Sequence, residues 1–508
     1  MTQIPHVATQ DRVIDAVLII FLGIVQAVAL AIAAFATRDA FAALHAGTSM
    51  QVQTITELAG AGVVAALCLL VSRWRAEALG QSYAITLRRT LYTQIARLPK
   101  SRHEQRRLGA LSLRFVGDLS AARLWFGRGL PDILTAAAVL PGAVAILVLL
   151  DPQLAVVGLA PLGLTVIAMI GVAWRLEHRH HHLRTRRANI AISMIERIAI
   201  APDLDLMGRT PKELRALDHN GASLRDVAIA RRGRTAGLQA ILQIGVALSG
   251  LAVLWHASQT GVTPATVAAS LSVLALVAIP LQDVGAAWDS FCAWRIAREK
   301  LMRLLAEQTV TRRARARQSA PTVRLYGTFR GTDVDFTAHG SAFTHLSGPD
   351  AAHLARRISG LDRWGDLEVL FDGKPTRPKI AHIHDKHVSL QGSLRRAATL
   401  MCQKRPSDEE VVATLLAFGL QGLLEAPRGL DLRMAENGKD LSTAQSLRLD
   451  LVRAVLGDAS VIVIASSRWA ADRERKTLLR ILMSLSSATI ILADANDRSM
   501  STPFQKAD

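Results

Sequence analysis

LPDILTAAAVLPGAVAILVLLDPQLAVVGLAPLGLTVIAMIGVAW, residues Leu130–Trp174, decides the class of fold. It holds two long apolar runs, Leu130–Leu150 and Leu154–Trp174, separated only by Asp151–Gln153. About 20 apolar residues in a helix cross the hydrocarbon of a bilayer, so each run is long enough to span. Two spans joined by three residues form a transmembrane hairpin. Working outward, four more windows have the same character: Ala16–Ala36, Thr54–Val71, Ala236–His256 and Ala265–Ala286. The first resembles a signal peptide in its Ala34-Phe35-Ala36, but Asp11, Arg12 and Asp15 flank it in place of a positive region, and the run is long. A retained helix is the better reading. The chain is therefore an integral membrane protein with six helices in its first 300 residues.

The gaps between windows carry the topology. Thr37–Gln53, Asp151–Gln153 and Ala257–Pro264 are short and contain a single basic residue, Arg38. Ser72–Gly129 and Arg175–Thr235 are long and dense in arginine, among them Arg73, Arg75, Arg88, Arg89, Arg106, Arg107, Arg175, Arg179, Arg184, Arg186, Arg187, Arg231, Arg232 and Arg234. Positive charge beside a span stays on the cytoplasmic side, which places both long gaps and both termini there. Neither gap has a long Gly/Pro/Ser run, and stretches such as Ala76–Ala96 and Arg184–Ile198 have helical composition. The membrane helices are expected to continue into the cytoplasm as long hairpins. His178-Arg179-His180-His181-His182 reads as a solvated helix face among arginines and not as a metal site.

Half of the 508 residues are apolar, and the net charge is +18. Since the basic residues gather beside spans and aromatic residues are only 5%, stacking platforms for bases are scarce and nucleic-acid binding is excluded. The three cysteines, Cys68, Cys292 and Cys402, share no metal-ligand spacing and read as small buried hydrophobes. Residues 301–322 form a basic linker, with Arg312, Arg313, Arg315, Arg317 and then Pro321. Beyond it, residues 323–508 have an α/β pattern, with β-type runs at Val461–Ile464 and Thr489–Leu492 and helical runs at Glu409–Phe418 and Ala444–Leu456.

The run ENGKDLSTAQSLRLDLVRAVLGDASVIVIASSRWAAD, Glu436–Asp472, resembles in order and spacing the signature helix, following strand and turn of ABC ATPase domains. QGSLRRAATL (Gln391–Leu400) and GLDLRMAENGKDLS (Gly429–Ser442) resemble the segment after the Q-loop and the approach to the signature. GALSLRFVGDLSAAR (Gly109–Arg123) and GRTPKELRAL (Gly208–Leu217) are similar to the family's two intracellular loops. The chain thus resembles a half-size ABC exporter over nearly its whole length. The resemblance implies an ABC exporter-type membrane domain over residues 1–300, a linker, and an ABC nucleotide-binding domain over 323–508.

A phosphate loop needs glycines for close approach, a lysine for the β/γ-phosphates and a hydroxyl for Mg²⁺. The corresponding stretch, LSGPDAAHLARRISGLDR (Leu346–Arg363), keeps Gly348 and Pro349 but continues as Asp350, Ala351, Ala352 and His353, with no lysine. Ala465 and Ser466 stand where the family carries the magnesium-binding aspartate and the catalytic glutamate. Asp494 stands at the switch histidine, and Asp385 at the Q-loop glutamine. Tyr326 is the one nearby tyrosine, and its spacing to Gly348 is short for adenine stacking. The signature persists as Leu441-Ser442-Thr443-Ala444-Gln445. There Ser442 either caps a helix or, with Gln445, serves a partner's ATP, while Thr443 and Ala444 add side chains where backbone should approach phosphate. Asp472 falls at the family's dimer-contacting aspartate.

These replacements together imply a degenerate domain that does not hydrolyse ATP alone, with no catalytic residue of its own. ATP and Mg²⁺ are expected only at a site shared with a partner. The expected role is the degenerate subunit of an ATP-driven exporter, heterodimeric with a competent half-transporter. The alternative is a non-transport membrane scaffold or regulatory protein on the same fold. The alanine- and arginine-rich bias points to a bacterial inner membrane. The windows hold almost no internal charge, which leans toward apolar or amphipathic cargo, and Asp283 at the inner end of the sixth window is the acid to test.

Overall fold

A computed structural model of the chain describes residues 4–6, 8–104, 117–310, 320–363, 366–435 and 438–494. Over 172–189 it describes the backbone and not the side chains, so the His178–His182 tract lies outside the described side chains. Residues 109–116 of the first intracellular-loop match, 311–319 of the linker and 436–437 before the signature also lie outside the described residues. The chain divides into two compact units, Met1–Ala96 with Gln105–Glu307, and Arg97–Glu104 with Gln308–Asp508. The octapeptide Arg97–Glu104 thus belongs to the second unit, whereas a boundary at residue 300 would leave it in the first.

Among the described residues of the first unit, six helices are long and apolar enough to cross a membrane. They contain all six windows read from the sequence. These are α1 (Gln10–His45), α2 (Val52–Ala96), α4 (Leu119–Leu150), α5 (Pro152–Ala199), α7 (Thr210–Thr260) and α8 (Pro264–Leu305), with short helices α3 (Lys100–Glu104) and α6 (Ala201–Leu206) between. In α2, α5 and α7 the helix outlasts its apolar window by several turns, as the composition of the long gaps implies. The tight α4–α5 hairpin is set by Asp151-Pro152. The Asp151 carboxylate accepts the N–H groups of Gln153 (2.8 Å) and Leu154 (3.0 Å), and Pro152 opens the helix where its missing N–H costs nothing.

Helix α1 packs along α2, α4 and α8, while α5 and α7 pair mainly with each other. Lipid is as apolar as leucine, so small residues that admit close backbone approach drive such packing. Gly23 and Ala27 on α1 meet Ala138 and Gly142 on α4. A Cβ at Gly23 would stand 3.1 Å from that of Ala138, and one at Gly142 2.9 Å from that of Ala27. Further along, α4 passes through a π-helical turn, Trp125–Gly129, where Gly127 lies against Gly80 of α2. Around this crossing Tyr83, Phe126 and Trp294 form an aromatic cluster with ring centroids 4.0 to 5.9 Å apart. The buried Arg12 is fully engaged. It donates to Ser82 Oγ (3.2 Å), Ser82 O (3.2 Å), His6 O (3.2 Å) and Thr86 Oγ1 (2.5 Å), and lies over the Tyr83 ring.

Among its described residues, the second unit holds three sheets. β1 (Val323–Phe329) pairs antiparallel with β2 (Thr332–Ala338) and β4 (Glu368–Phe371). β3 (Phe343–Ser347), β9 (Thr489–Asp494), β8 (Val461–Ala465) and β5 (Ile380–His384) form a parallel sheet in that order, and β6 (Gly392–Ser393) pairs with β7 (Arg433–Met434). Parallel sheets are covered on both faces, and β8 is accordingly an unbroken apolar run. Val461 and Val463 enter one core with β1, β3 and helix α9 (Ala351–Ile358). Ile462 and Ile464 enter the other with α10 (Leu394–Ala398), α11 (Asp408–Ala417) and, past α12 (Gln421–Leu424), with α13 (Thr443–Leu456). Arg97–Glu104 is fastened here as well. Lys100 N–H donates to Leu361 O (2.8 Å), and the Ser101 N–H and hydroxyl both donate to the buried Asp362 carboxylate (2.8 Å each).

The Gly80–Gly127 crossing leaves no room for a side chain. A Cβ at Gly80 would come within 2.6 Å of Gly127 Cα and 2.8 Å of Arg123 O, backbone atoms that cannot rotate away. Gly80→Ala is expected to cost about 1–3 kcal/mol, seen as a lower melting temperature in detergent. Gly163→Ala, with nothing within 4 Å of its Cβ, is the matched neutral change.

Candidate functional site

In a parallel α/β sheet, ligands meet the loops at the carboxyl ends of the strands. Register puts the strand ends together. Ser347 pairs with Asp494 across β3 and β9, and His384 with Ala465 across β5 and β8. Gly348–His353, Asp385, Ala465, Ser466 and Asp494, separated widely in sequence, therefore share one edge.

At the phosphate-loop position the chain turns through Gly348, whose φ of +126° favours glycine, and Gly348 O accepts the N–H of Ala351, where α9 begins. The Asp350 carboxylate stands before this helix and pairs with Arg330 at 2.9 Å. A helix N-terminus favours an anion, but here the chain supplies its own, already neutralised. Ala351 is buried, Ala352 is exposed, and the His353 ring lies 6.3 Å from that of Phe329. Tyr326, on β1, donates to Glu368 (2.5 Å) with Arg324 over its ring.

At the end of β8 the side chains bond to each other. The Asp385 carboxylate accepts the Ser467 N–H (2.7 Å), the Ser467 hydroxyl (2.8 Å) and the Ser466 hydroxyl (3.1 Å). Ser466 also caps the short helix α14 (Ser467–Ala471) by accepting the N–H of Arg468. Burial opposes ionisation of Asp385, but these bonds and the Arg468 charge outweigh it and hold the carboxyl below its ordinary range. A magnesium triphosphate draws on a lysine and on an acid at this strand end. Leu346–Arg363 contains no lysine, Ala465 offers no oxygen from its side chain, and Asp385 is committed to the serines. The residues present do not fit the group.

Behind this edge lies a second polar cluster. Asp450, on α13, stands 2.8 Å from Arg468 and 3.0 Å from Arg453, with His387 Nδ1 at 3.0 Å. Arg468 also donates to Ser446 Oγ (3.0 Å) and to His384 O, and Arg453 donates to Val388 O (2.6 Å) and Ala397 O. Burial raises Asp450, but His387, Arg453 and Arg468 together bring its carboxyl below the ordinary range. The cluster ties β5, the loop after it, α13 and α14 to one carboxylate. The signature residues are occupied locally too. Ser442 Oγ accepts the Gln445 N–H (3.1 Å) while Gln445 Oε1 accepts the Ser442 N–H (2.9 Å), a capping box at the start of α13. Thr443 and Ala444 are its first two helical residues. Asp472 is buried, accepts the N–H of Glu474 (2.8 Å) and lies 3.5 Å from Arg448 before α15 (Arg475–Leu485).

Residues 14–277 match the family model described as ABC transporter transmembrane region. The chain belongs to that family. Among its relatives are the ATP-dependent lipid A-core flippase of Vibrio cholerae, 22% identical over 78% of this chain and 72% of that one, and the uncharacterized ABC transporter ATP-binding protein YknV of Bacillus subtilis, 21% identical over 80% and 72%. Among solved structures, a bacterial Atm1-family ABC exporter with ATP bound superposes with a TM-score of 0.78 at 17% identity, covering 96% of this chain and 91% of that one. The fold is therefore that of an ABC exporter, a six-helix membrane domain fused to an ABC ATPase-like domain.

Sequence reasoning missed the Asp450 cluster. Asp450 and Arg453 stand three apart on one helix, a legible pair, but Arg468 and His387 join them only through the sheet.

Two outcomes follow from this edge. Asp385→Ala removes the acceptor of three hydrogen bonds around α14 and should cost about 1 kcal/mol or more, read as a lower melting temperature of the full chain. Burial first, then Lys100, Arg468 and Arg356 against the pull of Asp450, hold His384 at about 4, below its ordinary 6.5. Between these values the unfolded chain takes up a proton that the folded chain refuses, so this stabilisation is complete above about 6.5 and fades as pH falls toward 4. The melting temperature should decline from pH 7 to pH 5, and His384→Asn, which keeps an acceptor for Lys386 N–H, should make that decline shallower.

Proposed function

We propose that the chain is a catalytically degenerate half of an ABC exporter, working with an ATPase-competent half-transporter in the inner membrane of a bacterium. Both termini and both long helical hairpins lie on the cytoplasmic side, which the one-sided arginine distribution supports. The observation that carries the reading is Asp385 bonded to Ser466 and Ser467 at the strand end where magnesium and the attacking water would be handled. With it go Asp350 on Arg330 and a phosphate-loop stretch without lysine. Lysine, magnesium ligand and catalytic carboxylate each stabilise the transition state by several kcal/mol, so their joint loss lowers the rate by about 10³ or more. ATP and Mg²⁺ are then held, if at all, at a site shared with the partner. Exposed Ile198, Ile200, Leu206 and Met207 around the α5–α6–α7 turn support the presence of a second subunit. The apolar spans and the relation to a lipid A-core flippase support an amphipathic cargo moved outward.

One observation favours a second reading, a membrane scaffold or regulator that no longer transports. Ser442 and Gln445, the side chains best placed to serve a partner's nucleotide, are engaged with each other.

The test is ATP binding and hydrolysis by the purified chain in nanodiscs, alone and co-expressed with an intact half-transporter encoded beside it. Alone, hydrolysis should stay at background. If activity arises only in the mixed complex and vanishes when the partner's own catalytic glutamate is changed, the chain is the degenerate half of an exporter. If it neither binds nucleotide nor assembles with such a partner, the exporter reading fails and the scaffold reading stands.

A further inference from the structure

Three charged side chains from three membrane helices meet where the spans give way to their polar extensions. Arg73 of α2 donates one guanidinium nitrogen to Asp132 of α4 and another to Asp283 of α8, the latter at 2.9 Å. Ionisable groups within spans are costly and persist where they have a task. Asp132 and Asp283 are held by one planar guanidinium, whose fork can bond two carboxylates at once. The two arms differ in environment. The Asp132 side chain is 3% exposed and that of Asp283 25% exposed. Separating Arg73 from Asp132 would leave a buried carboxylate with only Arg128, at 3.9 Å, whereas Asp283 can take water when its arm opens.

The surrounding backbone is asymmetric in the same sense. Beside Asp132, α2 and α4 touch backbone to backbone at Gly80 and Gly127, within the π-helical turn Trp125–Gly129. Beyond Asp283, helix α8 meets α2 again only further along, where Trp294 lies against Tyr83 and Gln94 donates to Leu304 O (3.2 Å) and Leu305 O (3.3 Å), among the described residues. It carries Pro280 one turn before Asp283, which removes the hydrogen bond to the Leu276 carbonyl and weakens the helix there. Before Pro280, Val267, Val273, Leu274 and Val277 lie in the apolar core shared with α4, α5 and α7.

We propose that Arg73, Asp132 and Asp283 form a charge clamp that fastens the turn of α8 between Pro280 and the aromatic anchor at Phe291 and Trp294 to the α2–α4 pair. The Arg73–Asp132 arm is the permanent one. The Arg73–Asp283 arm is the releasable one, and its release lets α8 bow away from α2 between Pro280 and the anchor at Phe291 and Trp294.

Double electron–electron resonance on the full chain in nanodiscs tests this. Cys68, Cys292 and Cys402 are replaced by alanine, and spin labels are placed at the exposed Ala78→Cys on α2 and Ala286→Cys on α8. Asp283→Asn should add a longer and broader α2–α8 distance population, and Asp283→Glu should restore the wild-type distribution. Arg73→Lys, a point charge in place of a fork, keeps Asp132 neutralised and should reproduce the Asp283→Asn result. A control pair, Ala78→Cys with Leu124→Cys, reports α2–α4 and should stay unchanged in all three, which separates release of one arm from general loosening. If Asp283→Asn leaves the α2–α8 distribution superimposable on wild type, or if the control pair shifts with it, there is no clamp of this kind.

Discussion

A peptide group in hydrocarbon has no water to bond, so every N–H and C=O within a span must be satisfied along its own helix. The first unit follows from that constraint. Its spans are helices, and its contacts depend on where two helices can approach without a side chain between them. Gly23 and Ala27 against Ala138 and Gly142 give one seam, and Gly80 against Gly127 gives another. Charges inside are bound to each other, to hydroxyls or to backbone, as with Arg12 on the Ser82 hydroxyl and carbonyl and the Thr86 hydroxyl. The second unit obeys a different rule. There the parallel sheet is covered on both faces, and polar side chains gather at the strand ends, where they must find partners or stay in water.

The spans were legible because hydropathy over about 20 residues is a local property. So were the helical continuations of α2, α5 and α7, whose composition has no breaker. Ser442 was legible as a cap because a capping box is written within four residues. The partners of Asp385 were not, because Ser466 and Ser467 follow a strand, β8, that pairs with β5 only in the folded sheet. The same holds for Arg468 and Asp450, and for Arg73 with Asp283, which lie on different helices. The placement of Arg97–Glu104 was illegible for a related reason. Its fastening to Leu361 and Asp362 is a contact across more than half the chain, and nothing in its composition signals it.

The strand-end edge has two levels of order. Nearest the loops, each side chain bonds to a near neighbour: Asp350 to Arg330, Asp385 to Ser466 and Ser467, Ser442 to Gln445. Behind them, Asp450 gathers Arg453, Arg468 and His387 into a buried cluster around one carboxylate. An isolated buried carboxylate would be costly, and three cationic or hydrogen-bonding neighbours remove that cost. Shape here is maintained from within the chain.

Strand β8 has a consequence for how the second unit comes apart. Val461 and Val463 belong to one hydrophobic core and Ile462 and Ile464 to the other, so a single four-residue run is the common wall of both. Neither core can open while the other keeps that wall in place. The two layers therefore behave as one cooperative foldon, and the amide hydrogens of Val461–Ile464 belong among those exchanged only by global opening.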